Sequence, residues 1–205
     1  MSQIYEKHLW GGKDHDFYSG YGSHDSAIVE PYVNKVSEFL KSFDTPLTVC
    51  DLGCGDFNVG HRLIKYSKKY IAIDIVDSLV TRNKQLFNNP KLEFLCLDIS
   101  KDNLPEADCI ILRQVLQHLS NNEIHKIVKK LKTYKYVIVT EHIPNETFIP
   151  NKDIISGQGI RLKQNSGINL TEAPFYFKIK AIKILDDFVL KNNLGRIVTC
   201  LYLQF

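Results

Sequence analysis

Apolar residues recur at Ile28, Val29, Tyr32, Val33, Val36, Phe39 and Leu40, the three-and-four spacing of one helix face, and predict a helix over Ser26 to Phe43. Leu47 to Leu52 is different: a short, β-branched apolar run closed by Gly53 and Gly55, the pattern of a buried parallel strand feeding a tight turn. The alternation then repeats. Asn58 to Lys68 reads as helix, Tyr70 to Ile75 as strand, Ser78 to Phe87 as helix, Leu92 to Leu97 and Asp108 to Leu112 as strands, Asn122 to Leu131 as helix and Tyr136 to Thr140 as strand. Strands interleaved with helical patterns imply right-handed crossover units and a parallel sheet. The predicted architecture is a Rossmann-like, doubly wound α/β fold.

Between His142 and Phe177 the periodicity fades and Pro144, Pro150, Gly157, Gly159, Gly167 and Pro174 appear. So long a connection inside a compact domain is expected to carry function, so residues 142–178 are read as a substrate-side loop region. Lys180 to Leu185 and Arg196 to Gln204, flanking Asp186 to Gly195, predict two closing strands. The length of 205 residues suits one domain spanning 1–205.

Composition adds mainly exclusions. A hydrophobic content of 44% with 24% charged residues is that of an ordinary globular chain. The net charge of +3 is spread over scattered Lys and Arg, apart from pairs such as Lys68-Lys69 and Lys129-Lys130, so no basic stripe points to nucleic acid. No run approaches the roughly 18 apolar residues of a membrane span, and the opening residues lack a signal-peptide core, so a cytoplasmic protein is expected. The five cysteines, Cys50, Cys54, Cys96, Cys109 and Cys200, sit mostly in apolar runs and read as buried thiols. Cys50 and Cys54 have no Cys/His pair downstream, and no acidic or histidine cluster has ligand spacing, so no metal is expected.

The candidate chemistry gathers at the strand ends, where open α/β sheets take their ligands. Gly53 and Gly55 remove side chains from the turn after the first strand and permit positive φ. Asp51 ends that strand, where it can pair with an amino group. Asp74, 23 residues further on, ends the second strand and can accept hydrogen bonds from both hydroxyls of a ribose. Asp98 ends the third strand, placed to accept from an adenine amino group.

Together these residues resemble the class I S-adenosylmethionine-dependent methyltransferase superfamily. Asp51-Leu52-Gly53-Cys54-Gly55 is similar to its glycine-rich motif, Asp74 to its ribose-binding acid, and Asp98 to its adenine-contacting acid. Arg113 to Leu119 resembles the stretch after its fourth strand. The resemblance implies a seven-stranded, mostly parallel sheet with an antiparallel C-terminal strand and S-adenosyl-L-methionine as cofactor. It implies that Asp51, Gly53, Cys54, Gly55, Asp74, Ile75, Asp98, Ile99, Arg113 and Tyr18 bind that cofactor. One departure stands out: the family's third glycine falls at Phe57, and the nearest substitute is Gly60. The missing glycine also disfavours a dinucleotide enzyme, which needs room for a pyrophosphate.

Methyl transfer depends largely on orienting an in-line nucleophile, and a base is needed only when the acceptor must lose a proton. His142 is the first candidate, followed by His118 and Glu141, all expected at the ligand-bearing edge of the sheet. The aromatic and donor-rich stretch from Trp10 to His24 reads either as part of a lid over residues 1–25 or as a surface cover. In the lid reading Tyr21, Ser23 and His24, with Gln114 after the fourth strand, line the acceptor. The Asn/Asp-Pro-Pro-aromatic motif of exocyclic-amine nucleic acid methyltransferases is replaced here by Leu112-Arg113-Gln114-Val115, so a small-molecule acceptor is expected, with neither nucleic acid nor membrane as partner. Arg113 to Asn121, with Asn165 to Phe175, resembles small bacterial methyltransferases of polysaccharide and small-molecule biosynthesis, which points first to a sugar or metabolite hydroxyl. N-methylation of a small amine or amide and a nonenzymatic nucleotide-binding module stay open as alternatives.

Overall fold

A computed structural model describes residues 17–204 of the chain. Its strands are β1 (Thr48–Leu52), β2 (Lys69–Asp74), β3 (Leu92–Cys96), β4 (Cys109–Arg113), β5 (Tyr136–Ile143), β6 (Ala181–Val189) and β7 (Arg196–Leu203). They form one seven-stranded sheet in the order β3-β2-β1-β4-β5-β7-β6. The β1–β2, β2–β3 and β4–β5 pairs are parallel, while β5–β7 and β6–β7 are antiparallel. The expected mixed sheet is thus present, with an antiparallel hairpin closing it. By contacts the chain divides after Asp108 into two compact units.

In the first unit, helix α1 (Ser26–Lys41) starts at Asp25, whose side chain accepts the Ala27 N–H, and buries Ile28, Val29, Tyr32, Val33, Val36 and Leu40. Pro31 lies inside this helix and removes one backbone donor. The helix persists because six apolar side chains leave water, each contributing about 1.5–3 kcal/mol. Helix α2 (Asp77–Leu86) buries Leu79, Val80 and Asn83.

One expected helix is absent. Asn58 to Lys68 forms only two 3-10 turns, Gly60–Arg62 and Ile64–Tyr66. The chain reaches it through three left-handed residues, Gly53, Gly55 and Phe57, and Gly60 lies so close to the turn that a Cβ there would meet Phe57 Cε2 at 2.5 Å and Asp51 Oδ2 at 2.8 Å. Close packing on the turn, rather than an amphipathic face, decides its path.

In the second unit, helix α3 (Asn121–Leu131) has a capping box: Ser120 accepts the Glu123 N–H while the Glu123 side chain reaches back to the Ser120 N–H. Ile124, Ile127, Val128 and Leu131 form its buried stripe. Strand β5 runs three residues past the predicted end at Thr140, so Glu141 and His142 lie within it, paired with Val198 and Ile197. Strand β6 likewise extends to Val189, with a bulge between Ile184 and Asp186 that the alternation pattern does not reveal. No helix among the described residues is long and apolar enough to cross a membrane.

Candidate active site

In the first unit the site is built around the turn leaving β1. The Gly53 and Cys54 N–H groups donate to Ile73 O at 2.8 and 2.9 Å, and Gly55 N–H donates to Asp74 Oδ2 at 3.0 Å. Asn83, on α2, donates to Gly55 O at 2.7 Å. Gly53 (φ 80°) and Gly55 (φ 57°) supply the left-handed conformations that this path demands. Phe57 takes φ 64° where the family pattern has glycine. Its ring is fully buried, edge-on to Tyr70, Phe87 and Phe94 at centroid distances of 5.7, 5.1 and 4.9 Å. Aromatic burial therefore offsets a backbone strain of about 1–2 kcal/mol, and the turn keeps its shape without the third glycine.

Asp74 is buried at the end of β2, its Oδ1 accepting the Val76 N–H at 3.1 Å. Burial raises its pKa, against the pull of backbone donors from Val76, Gly55 and Ile75. A carboxylate offers about four acceptor positions, so beside its backbone donors Asp74 keeps capacity for a ribose hydroxyl. Its neighbour Ile75 is 45% exposed and presents an apolar surface beside it. Asp51 accepts the Tyr70 hydroxyl at 2.9 Å. Asp98 caps the turn after β3: Oδ1 accepts the Ser100 N–H and hydroxyl at 2.9 and 2.6 Å, and Oδ2 pairs with Lys101 at 2.9 Å. These donors outweigh desolvation and lower its pKa. Ile99 is buried beside it.

The same unit contains the described part of the expected lid. Tyr18 stacks on His24 at 4.3 Å, Ser23 O accepts from Asn58, and Tyr21 is exposed. Trp10 lies outside the described residues.

In the second unit, β4 ends at Arg113 and the chain turns through Gln114, which takes φ 55° and donates its N–H to Thr140 O at 2.7 Å. The 3-10 turn Leu116–His118 follows. Glu141, only 4% exposed, accepts the Leu116 and Gln117 N–H groups at 3.0 and 2.9 Å. Desolvation pushes its pKa up to about 8 despite these donors and the nearby Arg161 charge.

The three predicted catalytic residues meet on Gln117 rather than on one another. Gln117 donates its N–H to Glu141, accepts the His142 N–H on Oε1 at 3.1 Å, and lies 3.3 Å from His118 Nε2. Burial lowers the pKa of both histidines. His142 Nε2 is 2.7 Å from Leu194 O. Because a carbonyl only accepts, Nε2 carries the proton and Nδ1 of the neutral ring is left as an acceptor.

Sequence patterns gave no sign of Arg161, the largest fully buried side chain among the described residues. Its Nε donates to Lys152 O at 2.8 Å, Nη1 to Leu116 O and Gln117 O at 3.2 and 3.3 Å, and Nη2 to Leu119 O and Asn121 Oδ1 at 2.7 and 2.8 Å. Glu141 thus holds the N–H side of the turn after β4, and Arg161 its carbonyl side. Asn151 (φ 59°) similarly organises the following loops, donating to Asn169 O and Ala173 O and accepting the Asn169 N–H.

Comparison with known proteins bears on the family and the fold. Residues 49–134 match the family described as methyltransferase domain. Phosphoethanolamine N-methyltransferase 1 of Triticum aestivum is 27% identical over 104 residues, 46% of this chain; the match spans only 21% of that relative's length. Among solved structures, the N-methyltransferase NodS of Bradyrhizobium japonicum, in complex with S-adenosyl-L-homocysteine, has a TM-score of 0.69 at 11% identity, covering 100% of this chain and 98% of its own. Magnesium protoporphyrin IX methyltransferase of Synechocystis, with bound S-adenosylmethionine, has a TM-score of 0.60 at 16% identity, covering 99% and 94%. Residues 49–134 thus match a methyltransferase domain, and the fold is similar to that of methyltransferases solved with S-adenosylmethionine or S-adenosylhomocysteine.

Proposed function

We propose that this chain transfers a methyl group from S-adenosyl-L-methionine to a hydroxyl of a small molecule, with a sugar or related biosynthetic metabolite as the first acceptor class. The observation that carries the cofactor half is Asp74, a buried carboxylate at the tip of β2 that also fixes Gly55 of the β1 turn. It couples a hydroxyl-binding carboxylate to a glycine-rich backbone. In this reading Gly53, Cys54, Gly55 and Asp51 hold the amino-acid portion of the cofactor, Asp74 and Ile75 the ribose, and Asp98 and Ile99 the adenine, with Tyr18 as a further contact; Arg113, at the end of β4, is a separate candidate contact. When bound, the cofactor supplies an electrophilic methyl group on a sulfonium.

His142 is the general base of this proposal, because its Nε2–H is committed to Leu194 O and its Nδ1 is free of a proton at neutral pH. In this role Nδ1 would take the proton that the acceptor hydroxyl gives up as its oxygen becomes methylated. Glu141 is a poor base at neutral pH: burial keeps it protonated to about 8, and both its oxygens serve the turn after β4. Its part is to support Gln117 and, through it, His142. His118 is a second neutral imidazole, and Tyr21, Ser23, His24 and Gln114 remain candidate acceptor contacts.

Two of the similar proteins are N-methyltransferases by name, which favours a small amine as the alternative acceptor. An amine with a free lone pair needs no base before attack. Calorimetric titration with S-adenosylmethionine, S-adenosylhomocysteine and NAD tests the cofactor, followed by a product-release screen of hydroxylated and amine metabolites. Micromolar binding of both sulfur compounds, lost in Asp74→Ala, is expected; NAD binding without them overturns the reading.

A further inference from the structure

Asp56, the residue after Gly55, is buried and carries four hydrogen bonds. Its Oδ2 accepts the Ser19 N–H at 2.8 Å and lies 2.6 Å from His24 Nε2, and its Oδ1 accepts the Asn58 N–H at 3.1 Å. Its own N–H donates to Ser19 Oγ at 2.7 Å. Asn58 adds a bond to Ser23 O at 2.6 Å. At its other end the same segment is held by apolar contact: Phe17 packs against Val76 and Leu79, with Arg82 5.7 Å from its ring centre.

These attachments have a topological meaning. One lies on the connection leaving β1, the other on the connection leaving β2, and the ends of those two strands are where an open α/β sheet binds its ligand. Residues 17–24 therefore run from one strand end to the other. Phe17 takes φ 51° and Gly20 φ 91°, so the path is made with left-handed residues, and Tyr18 stacks on His24 within it. A buried carboxylate bridging to a histidine and a backbone N–H is a strong, charge-assisted latch. Asp56 faces the segment rather than a ligand.

We infer that Asp56, acting through Ser19 and His24, is a positioning residue that holds residues 17–24 as a strap across the cofactor, so that the latch sets how slowly the cofactor leaves. The inference rests on the cofactor reading of the β1 turn and Asp74. Asp56 and His24 touch no reacting atom in this role; they act through the strap.

The test is the dissociation rate of S-adenosylhomocysteine from the full chain, measured by surface plasmon resonance for wild type, Asp56→Asn, His24→Ala, Phe17→Ala and the Asp56→Asn/His24→Ala double variant. Each single substitution is expected to speed dissociation about tenfold or more, the scale of one charge-assisted bond or one buried anchor. The double variant should be no faster than Asp56→Asn alone, because both changes open one latch. Phe17→Ala changes the apolar end of the segment, on Val76 and Leu79, and keeps the test decisive if Asp56→Asn fails to fold. Unchanged dissociation in His24→Ala and Phe17→Ala, or additive effects in the double variant, overturns the strap. Failure of wild type to bind S-adenosylhomocysteine overturns the cofactor reading, and the strap with it.

Discussion

The turn leaving β1 and the turn leaving β4 perform the same task, holding an irregular backbone at a strand end, by different means. After β1 the conformation is made locally: Gly53 and Gly55 adopt positive φ, and Asp74 on the adjacent strand secures one N–H. After β4 the turn is held by two buried ionisable side chains, Glu141 on the N–H groups and Arg161 on the carbonyls. The first device leaves space, which a ligand needs. The second fills it, and binds its stability to ionisable groups far apart in the chain. Loss of a key residue should therefore cost ligand affinity in the first region and folding stability in the second.

The largest expected effect comes from Arg161→Met, which keeps much of the volume and removes every donor. The carbonyls of Lys152, Leu116, Gln117 and Leu119 lose this partner while remaining buried or nearly so, and Glu141 loses a favourable charge. Breaking such a site typically costs about 3–5 kcal/mol, or roughly 10 °C in Tm for a chain of this size. Asp74→Ala should shift Tm far less while abolishing cofactor binding. Thermal unfolding of the two variants side by side checks the contrast, and an Arg161→Met variant as stable as wild type would sink it.

This contrast also explains what was legible in the sequence. Gly53, Gly55, Asp51 and Asp74 are recognisable because strand ends and turn glycines are local signals, fixed by residues a few positions apart. The strands themselves, including the two closing ones, follow from the alternation of apolar runs, whereas the antiparallel setting of the last is implied only by the resemblance. Arg161 carries no local signal: it bonds Leu119 across 42 positions, and nothing around it marks a charge destined for the interior. Gln117, Asn83 and Asn151 are hidden for the same reason, being polar residues whose value lies in a distant partner. The predicted end of β5 at Thr140 stops short of Glu141, because nothing local marks a glutamate as a buried strand residue; its burial is made tolerable by backbone donors from another loop.

The second effect is a pH dependence. Glu141 has a folded-state pKa near 8, above its ordinary 4.5, so between these values the folded protein binds the extra proton. By linkage, stability then falls as pH rises through this window, by up to about 1.4 kcal/mol per pH unit. The contribution is fully present below about 4.5 and is lost by the time pH passes about 8. Glu141→Gln, which never ionises, should remove this component of the slope. Urea unfolding of both proteins from pH 5 to 8 measures it; parallel slopes would mean that the turn's backbone donors keep Glu141 ionised throughout.

The smallest effect returns to the β1 turn and separates strain from packing at one residue. Phe57 combines a left-handed backbone with a fully buried ring, so both Phe57→Ala and Phe57→Gly lose the aromatic contacts, at about 3–5 kcal/mol. Only glycine relieves the backbone. Phe57→Gly should therefore be the more stable of the two by about 1 kcal/mol, despite glycine's usual disadvantage against alanine elsewhere. Equilibrium unfolding resolves a difference of that size. Equal stabilities would show that the turn relaxes out of the left-handed region once the ring is gone, making the aromatic cluster, and not the backbone path from Gly55, the cause of the conformation at Phe57.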